Sequence, residues 1–243
     1  MNSELLHMRV ALVTGASRGL GRHIALVLGR NGYVVVVNYL SAEKEASGLI
    51  KTIGGDSLAV RADIGDPDQV RGMSELIGRE YGRLDVIVNN AGVTKDNLLV
   101  RQSEEDWDAV IRTNLKGCFN VIRTLAPIMV KSGGGHIINI SSRSGVSGKA
   151  GQAAYSASKA ALLGLTYTAA AELAADRIRV NAILPGYMMT EMGAGAGRAM
   201  EAAKQKSILK SLSDPAEVAA LVLYLLNTGT VSGQVFSLDS RLW

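Results

Sequence analysis

Tyr155 and Lys159 stand four positions apart in the stretch AAYSASKAALLGL. A four-residue step stacks two side chains on one face of a helix, a turn apart. Ser141 and Ser142 end the apolar run that precedes them. A strand end carrying Ser142 and a helix carrying the pair can converge on one point. A carbonyl that receives hydride on carbon needs a proton on oxygen, and Tyr155 would supply it and recover it in reverse. A phenol has a reference pKa of about 10, so its phenolate is a rare base near neutrality. An ammonium within ~4–6 Å stabilises that phenolate, which is the part expected of Lys159. Ser142 would hold the substrate oxygen and stabilise its developing charge. Lys159 can also reach a ribose hydroxyl, so the pair borders the cofactor as well as the substrate.

A dinucleotide has a place at the other end of the chain. VALVTGASRGLG runs from a strand through Gly15, Gly19 and Gly21 into a helix. A tight glycine turn lets phosphate approach the backbone, and the helix start offers N–H groups and a positive dipole end. Gly15, Ser17, Arg18, Gly19, Leu20 and Gly21 are the expected contacts of this loop. A ribose 2′-OH is usually bound by an acid after the second strand. Here VVVVNYLSAEK offers none before Glu43, while Arg18 stands in the loop to face a 2′-phosphate and Asn38 and Ser41 can add hydrogen bonds. NADP(H) is therefore expected over NAD. Asp63 is placed to accept from the adenine amino group, with Ile64 on the ring. Asn90, Ala91 and Gly92 should border the cofactor at a strand end, whereas the Asn89 amide suits stitching of neighbouring strands.

These groups need a scaffold that gathers strand ends. Apolar, β-branched runs at 9–13, 33–38, 57–63, 84–90, 136–141, 178–183 and 234–238 alternate with helical patterns. The helices are expected near 19–30, 42–53, 67–81, 103–131, 153–175 and 215–227. Strands apolar on both faces, alternating with helices, predict a parallel sheet covered on both sides. GDPDQV and SDPAEV each put Asp before Pro, an N-cap followed by Pro in the first turn. No linker or repeat interrupts the pattern, so residues 1–243 read as a single domain. The stretch 187–212 lacks a strand and reads as a mobile substrate flap.

The chain has 243 residues, 47% hydrophobic, enough for one large core. Its formal charge of +4 is mild and scattered, which argues against nucleic acid as a partner. The one cysteine, Cys118, reads as a small buried hydrophobe and leaves no internal disulfide. No signal-peptide pattern or membrane-length apolar run is present, so a cytoplasmic, membrane-free protein is expected. His7 and His136 have no metal-like companions and no metal is expected. Trp107 reads as packing.

Together these motifs resemble the short-chain dehydrogenase/reductase family: TGxxxGxG at 14–21, NNAG at 89–92, Ser142, YxxxK at 155–159 and PG at 185–186, in the family's order and spacing. The resemblance spans essentially the whole chain. It implies an α/β single-domain Rossmann fold, a doubly wound seven-stranded parallel sheet with helices on both faces. It implies that Asn114 holds a relay water, completing a catalytic set with Ser142, Tyr155 and Lys159. It implies that Pro185, Gly186, Met188 and Thr190 touch the nicotinamide end, and that Gln152 joins Ser142, Arg143 and Tyr155 on the substrate side. It also implies a homo-oligomer, a tetramer or dimer, built through the helices holding Asn114 and Tyr155. Within the family, VALVTGASRGLGRHIA, NNAGVTKDNLL, GHIINISS and GQAAYSASKAALLGLT resemble the 3-oxoacyl-[acyl-carrier-protein] reductases. The expectation is NADPH-dependent reduction of a 3-oxoacyl thioester in fatty acid biosynthesis, the partner being acyl carrier protein or acyl-CoA. The alternatives are another carbonyl substrate or a non-catalytic nucleotide-binding protein. Arg143 and Lys149, with Arg177 and Arg179, could attract an acidic carrier or a pantetheine phosphate. Arg143 itself is unusual after the serine, and SLDSRLW departs from the Gly pair that commonly follows an Asp there.

Overall fold

The computed structural model describes residues 8–189 and 197–241. Seven parallel strands form one sheet in the order β3-β2-β1-β4-β5-β6-β7. They are β1 (Arg9–Val13), β2 (Tyr33–Tyr39), β3 (Leu58–Arg61), β4 (Val86–Asn89), β5 (Gly135–Ile140), β6 (Ile178–Pro185) and β7 (Val235–Leu238). The helices are α1 (Gly19–Arg30), α2 (Glu43–Ile53), α3 (Pro67–Tyr81), α4 (Glu104–Ile111), α5 (Gly117–Lys131), the short α6 (Ser144–Ser147), α7 (Ala153–Glu172), α8 (Gly197–Lys206) and α9 (Pro215–Leu226).

Period-two alternation splits the strands between two cores. Ala11 and Val13 face one core, with Ile24 and Leu28 of α1, Leu49 of α2 and Val222 of α9. Val10 and Leu12 face the other, with Met73 of α3, Leu125 of α5 and Ala169 of α7. The inner strands are therefore apolar on both faces, as a sheet covered on both sides requires, while the edge strand β7 puts only Phe236 and Leu238 into a core. The expected α/β doubly wound sheet is what the chain forms. β1 is paired on one side to β2 and on the other to β4, so the winding reverses between β1 and β4. Ligands in such sheets bind where strand ends part at this reversal.

The Asp-Pro signals act as expected. The Asp66 carboxylate accepts from Asp68 N at 2.9 Å, and Asp214 accepts from Ala216 N at 2.8 Å, with Pro67 and Pro215 opening their helices. Two readings change. The helix expected over 103–131 is divided by a π-helical turn, Arg112–Lys116, that carries Asn114. The flap region contains α8, which sequence patterning left unassigned; within it, Thr190 and its neighbours to 196 lie outside the described residues. Among the described residues no helix is long and apolar enough to cross a membrane.

Candidate active site

The carboxyl ends of β1, β2, β4 and β5 open into a cleft of about 650 Å³. Its floor is the glycine turn. Gly15 has φ +60, and a Cβ there would lie 2.8 Å from the Ala91 Cα. A Cβ on Gly21 would lie 2.4 Å from the Asn90 amide nitrogen and 2.7 Å from the Gly15 carbonyl oxygen. Only glycine lets these backbones approach so closely. Arg18 occupies the N-cap of α1, and no side chain caps that helix, so its first N–H groups are left to a ligand. The residues present fit a dinucleotide: a cradle closed to side chains, an uncapped helix start, and Ser17, Leu20, Asp63 and Met188 around it.

The second-strand end matches one expectation and changes another. Tyr39, Leu40, Ser41 and Ala42 line the cleft there and carry no carboxylate, while Arg18 is exposed at its wall. Asn38, however, is buried and spent. Its amide donates to the Ala62 carbonyl at 3.0 Å, and its oxygen accepts from Gly15 N at 3.3 Å. It holds the glycine turn to β3 and is not presented to a ribose phosphate. Asp63 is likewise engaged: one oxygen accepts from Gly65 N at 2.8 Å, the other from the Arg112 guanidinium at 2.6 Å. Ile64 packs into the core against Gly117 as well as reaching the cleft. Arg112 lines the cleft too, and no local pattern foretold it, since its partner lies 49 residues away.

At the chemical end, Ser142, Tyr155 and Lys159 line one wall with Gly92, Pro185 and Gly186. The Ser142 hydroxyl oxygen accepts from Ser144 N at 3.2 Å, which leaves its proton to donate. Ser141 differs: its hydroxyl donates to the Lys159 carbonyl at 2.8 Å and ties β5 to α7. Lys159 is buried, and its Nζ donates to the Ile140 carbonyl at 2.7 Å, 5.7 Å from the Tyr155 ring centre. Burial lowers the Lys159 pKa, with Cys118 opposing. Burial raises the Tyr155 pKa, Tyr187 and Asp96 add to this, and only Ser142 opposes it. Burial thus outweighs the lowering of the phenol expected from Lys159. The phenol is held protonated, the form a proton donor needs.

Asn114 is fully buried in the π-helical turn. Its oxygen accepts from Val93 N at 2.8 Å, and its amide donates to the Val93 carbonyl at 3.0 Å and the Ser158 hydroxyl at 3.1 Å. Its own carbonyl accepts from the Cys118 thiol at 3.2 Å. Gly92 lies against this group: a Cβ there would be 3.3 Å from the Asn114 side-chain oxygen and 3.6 Å from Lys159 Nζ. Asn89 stitches strands as expected, donating to Asn139 at 2.8 Å.

The substrate-side expectations fare less well. Gln152 is a loop tie, donating to Asp96 at 2.9 Å and accepting from Ser144 at 3.2 Å. Arg143 is buried and donates to the Arg241 carbonyl at 2.8 Å, turned toward the C-terminal segment rather than outward to a carrier. Arg177 and Arg179 stand at the amino end of β6, the sheet edge opposite Ser142. Arg179 donates to the Gly229 carbonyl at 2.7 Å. They cannot share a docking site with Lys149, whose Nζ instead meets the Tyr187 hydroxyl.

A doubly wound parallel sheet with a glycine cradle and a Ser-Tyr-Lys wall defines a dinucleotide-binding oxidoreductase architecture. The family described as short chain dehydrogenase matches residues 9–201. The chain is 42% identical over 246 residues to the 3-oxoacyl-[acyl-carrier-protein] reductase FabG of Thermotoga maritima, covering 98% of each. It is 50% identical over 185 residues to FabG of Staphylococcus aureus strain N315, covering 75% of each. It is 40% identical over 243 residues to the 3-oxoacyl-[acyl-carrier-protein] reductase of Synechocystis, covering 98% of each. The chain belongs to the short-chain dehydrogenase family, oxidoreductases that work between a CH–OH group and a ketone with a nicotinamide cofactor.

Proposed function

We propose that the protein reduces 3-oxoacyl thioesters, carried on acyl carrier protein, to 3-hydroxyacyl thioesters in fatty acid biosynthesis, using NADPH. The observation that carries this reading is the convergence of Ser142, Tyr155 and Lys159 on one wall of the nucleotide cleft. The relatives bearing that reductase name supply the substrate class. When bound, the cofactor supplies the hydride. Gly15, Gly19 and Gly21 and the uncapped start of α1 hold its phosphates. Arg18, with no carboxylate opposite, favours the 2′-phosphate. Ser142 donates to the keto oxygen, and Tyr155, kept protonated by burial, delivers the proton. Lys159, charged and adjacent, moderates the phenolate left behind and meets the ribose. Asn114 ties Val93, beyond the end of β4, to Ser158 of α7, one residue before Lys159, where it would hold the water that returns a proton to Lys159.

The test is a substrate panel at saturating cofactor: 3-oxoacyl carrier protein, acetoacetyl-CoA and simple ketones, each with NADPH and NADH. The reading expects the highest kcat/KM with the carrier-bound substrate and NADPH. A lower KM for NADH would remove the NADP assignment. A second reading, acyl-CoA or a small ketone, is favoured by the basic residues that face away from a carrier, Arg143 and Arg179. Preference for acetoacetyl-CoA would select it. Exposed Phe119 and Tyr167 on α5 and α7 support a homo-oligomer, with a tetramer proposed and light scattering as its measure.

A further inference from the structure

Arg143 and the segment Asp239–Arg241 take no part in the proposed reaction, and they meet in space. Arg143 directly follows Ser142 and heads α6. Its guanidinium is buried and reaches the main-chain carbonyl of Arg241, beyond β7. Asp239 fixes that carbonyl's segment: it accepts from Arg241 N at 2.9 Å and pairs with the Arg241 guanidinium. The Asp239 carboxylate also faces the active-site turn, since a Cβ on Gly186 would lie 2.8 Å from its oxygen. Ser213 closes the circuit, accepting from Gly186 N at 3.0 Å and donating to the Leu238 carbonyl. On the far side of the loop, the Lys149 ammonium sits 4.9 Å over the Tyr187 ring, which Arg241 approaches to 5.7 Å. The loop from Ser142 to Gln152 is thus tied to the C-terminal segment at Arg143, and its Lys149 shares the Tyr187 ring with Arg241.

We propose that Arg143 is a positioning residue for Ser142: by fastening its loop to the Asp239–Arg241 segment, it sets the direction in which the Ser142 hydroxyl meets the substrate oxygen. A guanidinium is seldom buried unless it is paired, so the clasp either holds or gives up its site to water. Asp239 is held below the usual carboxylate range against its own burial by Arg241, with Arg143 adding to this, as expected of a carboxylate between two cations. The clasp bears on Ser142 through the main chain, Arg143 being the next residue and the start of α6. It acts through geometry, and a misplacement of about 1 Å at a reacting group costs about a hundredfold in rate.

This inference rests on the proposed role of Ser142. The experiment compares wild type, Arg143→Ala, Arg143→Lys and Asp239→Ala in NADPH-dependent reduction of acetoacetyl thioester, with amide hydrogen exchange on the same proteins. The expected result for Arg143→Ala is a fall in kcat of about 10- to 100-fold, with KM for NADPH within about twofold. Arg143→Lys recovers part of the loss. Exchange at residues 141–147 quickens in both Arg143→Ala and Asp239→Ala. If Arg143→Ala does not fold, Asp239→Ala carries the same expectations. Unchanged kcat with unchanged exchange at 141–147 overturns the proposal, as does a KM effect alone. A wild type that reduces no 3-oxoacyl thioester overturns the proposed function instead, and the exchange data still decide the clasp.

Discussion

Tyr155 carries the sharpest residue-level consequence. Tyr155→Phe keeps the ring and removes the proton, so NADPH affinity should stay within about twofold while kcat falls about 10²- to 10⁴-fold. Fluorescence titration beside steady-state turnover checks this, and near-full activity would refute the assignment. The pH profile follows from the shifts. Burial raises the Tyr155 pKa, so the reductive proton is present through neutrality and the phenol does not set a limb near pH 7. Burial lowers the Lys159 pKa, so its charge is lost first as pH rises, and the alkaline limb of kcat should move in Lys159→Arg. Gly92→Ala would place a methyl group against Asn114 and Lys159, and a fall in kcat with an unchanged fold by circular dichroism is the expected result. The residues legible in the sequence were those whose role lies in local spacing: Tyr155 with Lys159, and Gly15 with Gly19 and Gly21. Asn38, Asp63 and Arg143 were misjudged for the opposite reason. Asn38 and Asp63 do line the cleft and Arg143 does not, and the direction of each side chain is decided by a partner 24, 49 or 98 residues away.

At the scale of elements, signals written in adjacent residues held best. Asp66 and Pro67 open α3 as the dipeptide predicts, and Asp66→Ala should lower the urea midpoint with activity kept. The division of 103–131 was not legible. A π-helical turn is a change in main-chain hydrogen bonding that residue types do not announce, and it shows itself only where Asn114 faces both Val93 and Ser158. α8 escaped because its mean hydropathy is low and its neighbours are rich in glycine. Gly145 shows how closely elements meet at the site: a Cβ there would lie 2.6 Å from the Lys159 carbonyl carbon. Gly145→Ala must therefore part the Ser142 loop from α7.

For the whole molecule, the seven-strand order divides labour between two edges. The carboxyl edge holds the cleft, and the amino edge holds charge without chemistry. His136 lies there beside Arg9 and Arg179, and burial with these two cations lowers its pKa to about 4 from 6.5. The imidazole is neutral in the fold and takes up a proton readily only when unfolded. Stability should thus be level above pH 6.5 and decline as pH falls toward 4, by up to about 3 kcal/mol. His136→Gln should flatten that decline in urea titrations at pH 7 and pH 4.5.

The reversal of winding between β1 and β4 has a consequence in time. β1 pairs with β2 early in synthesis, but its other edge waits for Val86–Asn89, with Ala11 bonded beside Val86. Until β4 leaves the ribosome, an apolar strand stays open on one side, a template for any other extended chain. Non-local parallel pairing is slow to close. The expectation is that chains truncated before Val86 leave β1 open and aggregate, while chains that include β4 stay in solution, as sedimentation of the two would show.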